Sequence, residues 1–268
     1  MLSIENLNLH LGQKHVLKNI SLDLPFNGEM IGIMGPNGSG KSSLIKSIIG
    51  ELPAKGKVTL NQQPAQQQLT NMTYIPQKSV LDLDFPINVQ DLVLTGCYQE
   101  IGWFRRVPKA IREKRDTLLK ELELYELRKR QLHALSGGQL QRVFIARALM
   151  SDSLVYLLDE PFVGIDFKSE RIIFEKLQYL KQQGKLILIV HHDLSTAGQY
   201  FDRILLLNQS IAFLGDSAEA LQPKNIESVF LSRYHQAKKD TPLHRKESAQ
   251  HVVRSTPLES ISFYHVRC

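Results

Sequence analysis

A chain of 268 residues with 43% hydrophobic and 22% charged side chains is long enough to bury a core, as one domain with sub-parts or two small ones. Its net charge of +6 makes no nucleic-acid footprint. Residues 235–268 hold six Lys/Arg and three Asp/Glu, and the other 234 residues carry 27 basic and 24 acidic side chains, a thin and scattered excess. No apolar run approaches the ~20 residues of a membrane-spanning helix. The start, Met1-Leu2-Ser3-Ile4-Glu5, lacks the basic and apolar regions of a signal peptide. Two cysteines, Cys97 and Cys268, give no disulfide framework and fit a reducing compartment.

In chain order, Ser3-Ile4-Glu5-Asn6-Leu7-Asn8-Leu9 and Ile20-Ser21-Leu22-Asp23-Leu24 alternate, as strands with one wet and one dry face do. Pro25 and Asn27-Gly28 mark a turn, and residues 30–34 suit a strand buried on both faces. A glycine-rich loop follows, then a helix with the stripe Leu44, Ile45, Ile48, Ile49 and Leu52. Residues 56–60 and 73–75 read as strands, with a glutamine-rich surface loop over 62–68 between them. Helical patterns dominate 88–150. Pro108 opens one helix that turns Ile111, Leu118, Leu119 and Leu122 inward, and another starts at Ser136 and buries Leu140, Val143, Phe144 and Ala148. A strand over 154–158, a helix near 168–183 stopped by Gly184, and a strand over 185–190 then alternate, which argues for a parallel α/β sheet. Short strands over 203–207 and 211–214 and a small helix lead to a polar tail from about His235. No internal repeat is visible, so one such unit is expected and not a tandem pair.

The segment Gly35-Pro36-Asn37-Gly38-Ser39-Gly40-Lys41-Ser42 fits G-x-x-x-x-G-K-[ST] and lies between an expected strand and helix. Glycines let backbone N–H groups curl around phosphates, and the helix N-terminus adds its dipole. Lys41 would reach the β- and γ-phosphates, and the Ser42 hydroxyl, with Ser43 beside it, would ligate Mg²⁺. A second site is Leu154-Val155-Tyr156-Leu157-Leu158-Asp159-Glu160, where an apolar strand delivers two carboxylates at its end. Asp159 would hold Mg²⁺, directly or through water, and Glu160 would be the general base. Alone, such an acidic pair is more often a cap or a solvated pair.

Leu135-Ser136-Gly137-Gly138-Gln139 resembles the signature sequence of ATP-binding cassette (ABC) ATPases. It is another helix start with exposed amides and a hydroxyl, hence another anion cradle. In that family the second cradle serves the nucleotide of a partner subunit, so the resemblance implies a two-fold homodimer enclosing two ATP molecules. Other elements match in order. Gln77, after Tyr74-Ile75-Pro76, resembles the glutamine that links Mg²⁺ and attacking water to the membrane partner. Asp166, in Phe162-Val163-Gly164-Ile165-Asp166, resembles the aspartate that speaks across the dimer. His192, before Asp193, resembles the histidine that contacts the γ-phosphate, and His191 is read as structural. Leu11 stands where the family usually has an aromatic residue for adenine, with His10 beside it and Val16 nearby.

The resemblance covers roughly residues 1–222. It implies a P-loop α/β core, an N-terminal antiparallel β piece and a helical insertion near 86–150, all within a domain ending about residue 234. It also implies an ATPase at the cytoplasmic face of the membrane that drives an integral permease, with an extracytoplasmic substrate-binding protein and without nucleic acid. Gly102-Trp103-Phe104-Arg105-Arg106, the run from Glu160 to Asp166, and Val190-His191-His192-Asp193-Leu194 look like the branch serving manganese, zinc and iron importers. An ABC importer for another small solute, a soluble ABC ATPase acting on nucleic acid or ribosomes, and a nucleotide-gated regulator are the alternatives. A soluble enzyme would usually add a second cassette or a long coiled coil, and a regulator has no need of Glu160 and His192. The tail histidines, His235, His244, His251 and His265, could serve as a metal sensor, but their irregular spacing favours a solvated tail.

Overall fold

Strands β1 (Leu2–Leu11) and β2 (Lys14–Leu24) pair antiparallel in the computed structural model, which describes residues 1–77, 86–98 and 106–230. The expected alternation is broken once in β1 and twice in β2. Ile4 pairs with Leu22, Leu7 with Ile20, Leu9 with Leu17 and His10 with His15, so β1 carries one extra residue and β2 answers with one and then a second near the hairpin end. The first two bulges fall at Asn6 (φ 54°) and Asn19 (φ 49°), short amides that tolerate the left-handed region. Each re-aims its strand, so that Leu2, Ile4, Leu7 and Leu9 are all buried.

β3 (Glu29–Met34) leads out of this hairpin, and β4 (Lys55–Leu60) pairs antiparallel with β1. The two-residue β5 (Gln63–Pro64) completes the order β2-β1-β4-β5. The stretch expected as a surface loop, 62–68, therefore holds a strand and a 3₁₀ turn (Ala65–Gln67), with Ala65 fully buried. One small apolar residue among glutamines is too weak a pattern to announce it.

β6 (Met72–Ile75), β7 (Val155–Asp159), β8 (Leu186–Val190), β9 (Arg203–Asn208) and β10 (Ser210–Asp216) join β3 in a second sheet, order β10-β9-β3-β8-β7-β6. All its pairings are parallel except β9 with β10. Both faces are covered, so the strands read as apolar runs rather than alternations. Leu157 and Leu188 face a core shared with the antiparallel sheet and helix α1 (Lys41–Ile48), whereas Leu158 and Ile189 face the remaining helices.

Those helices are α2 (Val89–Leu94), α3 (Lys109–Glu121), α4 (Gly137–Met150), α5 (Phe167–Gln182), α6 (Leu194–Tyr200), α7 (Ser217–Ala220) and α8 (Pro223–Phe230). Pro108 takes the N-cap of α3 rather than a place in its first turn. Leu119 and Leu122 are fully buried, while Ile111 and Leu118 only lean on the core. Gly184 at φ 78° follows α5, a left-handed position that suits a residue without Cβ. Residues 102–105 of the Gly-Trp-Phe-Arg-Arg segment and the tail histidines lie outside the described residues.

Candidate nucleotide site

The loop between β3 and α1 is shaped by glycines with no room for a side chain. A Cβ on Gly35 would lie 2.0 Å from Leu207 O, and one on Gly40 would lie 2.7 Å from Leu17 Cδ2. Gly40, at φ 103°, is the N-cap of α1 and brings no side-chain acceptor to its first turn. The first amides of a helix have no partner within it, so this end offers N–H groups and a positive dipole end. Ser39 N donates to Pro36 O at 3.1 Å and Gln209 N to Ser39 O at 2.8 Å, which fastens Gly38-Ser39 to the sheet. Lys41 is buried, and its ammonium donates to Gly35 O at 2.8 Å and Pro36 O at 3.2 Å. Burial lowers its pKa, while Glu160 and Asp159 pull it back up.

Asp159 ends β7 as a buried carboxylate, 4% exposed. It accepts a hydrogen bond from Ser42 Oγ at 2.9 Å. Burial raises its pKa and the Ser42 bond opposes that; the charge of Glu160 raises it further against Lys46 and Lys41. Glu160 leaves the strand at φ 51°, a region where few residues with a Cβ sit. Its Oε2 accepts from Gln77 Nε2 at 2.7 Å. Residues 35–43, Gln77, Asp159 and Glu160 thus meet at the C-terminal edge of the parallel strands, where such sheets place ligands. His192 follows β8, the strand between β3 and β7, and its exposed ring lies 5.8 Å from that of His191.

A second group gathers elsewhere. Ser136 caps α4 in a reciprocal box: Gln139 N donates to Ser136 Oγ at 3.3 Å, and Ser136 N to Gln139 Oε1 at 3.0 Å. Asp166 caps α5 through Ser169 N at 2.9 Å and Ser169 Oγ at 2.8 Å, bonds that hold its carboxyl below the usual range. Gly138 joins the two caps, since a Cβ there would lie 2.3 Å from Asp166 Oδ2 and 2.4 Å from Ser169 Oγ. Ser169 was not singled out in the sequence, although its place three residues after an N-cap aspartate was the available signal. At the β1–β2 hairpin Leu11 is 45% exposed and His10 stacks on His15 at 4.0 Å. Val16 and Leu17, next along β2, pack against Gly40.

A glycine loop opening a helix, a lysine inside it, and a serine paired with the aspartate at the tip of β7 define a P-loop nucleotide-hydrolysing fold. The family model described as ABC transporter matches residues 17–163. The manganese transport system ATP-binding protein MntB of Bacillus subtilis is 43% identical over 232 residues, 86% of this chain and 92% of the relative. The zinc transport system ATP-binding protein TroB of Treponema pallidum is 40% identical over 231 residues, 86% of each chain. Among solved structures, a metal-chelate type ABC transporter in an inward-facing conformation superposes with a TM-score of 0.73 at 28% identity, over 85% of this chain and 88% of that one. A nucleotide-free ATP-binding cassette gives 0.70 at 28% identity, over 85% and 97%. The chain belongs to the ABC transporter family, as an ATP-binding and ATP-hydrolysing subunit.

Proposed function

We propose that this subunit works as a homodimer at the cytoplasmic face of the membrane and powers the import of manganese, zinc or iron. The channel is a separate integral permease, supplied by an extracytoplasmic substrate-binding protein. The observation that carries the ATPase half is the meeting of Lys41, Ser42, Asp159, Glu160 and Gln77 at one sheet edge. The metal half rests on likeness to manganese and zinc transport subunits across 86% of the chain.

The α1 amides and Lys41 bind the phosphates, exchanging the carbonyls of Gly35 and Pro36 for charged oxygens. A hydroxyl and a buried carboxylate 2.9 Å apart form a hard-oxygen donor pair that fits Mg²⁺. Ser42 and Asp159 would hold that ion, with Gln77 near it, and it would neutralise charge developing on the phosphates. Glu160, aimed by Gln77, takes the proton of the attacking water, and His192 contacts the γ-phosphate. Residues 136–139 and Asp166 serve the nucleotide held by the partner subunit, because one fold has no use for two phosphate cradles. Closure on ATP and reopening after hydrolysis give two states for the permease to follow. The helices near 86–150 dock that permease, and Gln77 relays nucleotide state to it.

In a strain lacking this chain, uptake of at least one of manganese, zinc and iron should fall under limitation of that metal. Wild-type chain should restore it and Glu160→Gln should not, as read by mass spectrometry of cell metal. Normal quotas and uptake rates for all three, with no redundant importer, would overturn the metal reading and spare the ATPase.

A further inference from the structure

Two adjacent histidines follow strand β8, and His191, the inner one, has no part in the reading above. It is 5% exposed, and its backbone N–H donates to Ile33 O at 3.1 Å. His191 is buried while His192, the next residue, is exposed, with the two ring centroids 5.8 Å apart. The His191 ring is boxed by Phe162 edge-on at 6.0 Å, Phe201 edge-on at 5.4 Å and Tyr200 at 5.9 Å. Two of the walls are themselves fixed. Phe201 lies over Gly32, where a Cβ would come within 2.5 Å of its ring. Tyr200 donates its hydroxyl to Glu170 Oε1 at 2.5 Å. His191 Nε2 lies 2.9 Å from Thr196 Oγ1, whose own proton has Asp193 Oδ2 at 3.4 Å. The threonine hydroxyl can either accept from His191 or donate to it, and in both cases it ties the ring to the start of α6. Burial pushes the imidazole pKa down, in keeping with a neutral ring.

Two groups of the reaction hang on this box. Glu160 holds a backbone at φ 51°, which persists only where the surroundings over-determine it. The turn that begins there is closed by a long bond, Val163 N to Glu160 O at 3.3 Å, and Phe162 within it is seated against His191 and Tyr200. His192 is gripped from both sides, by His191 in the box and by Asp193, which caps α6 through Ser195 N at 2.9 Å.

We propose that His191 is a positioning residue for ATP hydrolysis: through Phe162 and Thr196 it holds the Glu160 turn and the His192 segment in the geometry that attack on the γ-phosphate requires. It touches no nucleotide itself. The assignment rests on the reading of Glu160 as the base, and the test keeps the two apart.

Steady-state ATPase kinetics of the full chain should be compared for His191→Ala, His191→Phe, Thr196→Val and Glu160→Gln, with a melting curve for each. Small misplacements of reacting groups cost up to about 100-fold in rate. His191→Ala should therefore lower kcat by about tenfold or more while KM for ATP stays within about twofold, since the α1 loop still holds the phosphates. Thr196→Val should lower kcat in the same direction by less. His191→Phe, which keeps a wall for Phe162, should recover most of what alanine loses. Adding Phe162→Leu to His191→Ala should cost no more than the worse single change, because both act on one turn. Wild-type kcat in His191→Ala, a loss matched by the unfolded fraction or by KM, or fully additive losses would each overturn the proposal. Should the alanine variant fail to fold, Thr196→Val decides by the same kcat and KM criteria. Turnover surviving in Glu160→Gln would instead remove the base reading.

Discussion

Helices α1 and α4 both begin beside glycine and serine, yet their first turns are finished in opposite ways. At α1 the N-cap is Gly40, which brings no acceptor, and the positive end is left to Lys41 and the loop around it. At α4 the N-cap is Ser136, which closes a full capping box with Gln139. In the proposed mechanism the first end meets an anion of its own chain, and the carboxylates close by manage metal and water. The second is self-sufficient in the free subunit, and its 3.3 Å bond from Gln139 N to Ser136 Oγ is long for its kind. An anion brought by a partner could take over that hydroxyl and exchange a weak neutral bond for a charged one. In the proposed dimer one helix end is an open receptor, and the other is a latch that works only in company.

Breaking the open end should have the largest effect. Lys41→Ala should weaken MgATP binding by about 100-fold or more, as a buried phosphate loses its charged hydrogen bonds. Undiminished affinity by calorimetry would remove the loop from the phosphate role. The same variant tests whether the two ends belong to different subunits. Mixed with Ser136→Arg, it should restore about one working site per mixed dimer, because both lesions can then fall in one composite site. No ATPase recovery in verified mixed dimers would count against a shared site.

The two ends also differ in how legible they were. The loop at 35–42 and the cap at Ser136 were readable because each is a local arrangement: glycines where backbone must curl, serine where a helix must start. The pairing of Ser42 with Asp159, 117 residues apart, was reachable only indirectly, through the Mg²⁺ that both motifs were read to hold, since no local pattern encodes a long-range contact. Gly138 was named as part of the signature, but its reason, the Asp166–Ser169 cap against it, could not be seen. The bulges at Asn6 and Asn19 escaped because each shifts the period by one while keeping the strands apolar on the same side. Residues 62–68 were misjudged because pairing of backbone, not side-chain pattern, makes β5.

A smaller effect sharpens the electrostatic side of the contrast. The raised pKa of Asp159 means that the folded chain binds its proton more tightly than the unfolded chain. Ionised Asp159 therefore costs stability, and the cost grows as pH rises from the ordinary carboxylate value of ~3.9 through the folded pKa. Asparagine keeps an acceptor for Ser42 and carries no charge. Asp159→Asn should therefore raise the melting temperature at neutral pH, without nucleotide or metal, by about 2–4 °C for ~1 kcal/mol. The gain should shrink on acidification and come with lost ATPase activity, the usual exchange of stability for function. A melting temperature that falls at neutral pH would mean that the carboxylate is already compensated in the free subunit.

The smallest change is at the latch, where stability and turnover can be driven apart. Ser136→Ala removes the acceptor for Gln139 N, and a cap made by so long a bond should cost about 0.5–1 kcal/mol. Ser136→Asp should cost almost nothing in folding, because aspartate is an equally good N-cap and its charge suits the helix dipole. In an ATP-bound dimer the same carboxylate would face the partner's phosphates, a like charge where a hydroxyl should donate. The aspartate variant should therefore melt with wild-type and hydrolyse far more slowly, while alanine melts earlier and loses less turnover. The order of the two variants matters more than either value. If Ser136→Asp hydrolyses ATP at the wild-type rate, the serine is a helix cap and nothing else, and the second cradle must be sought in other residues.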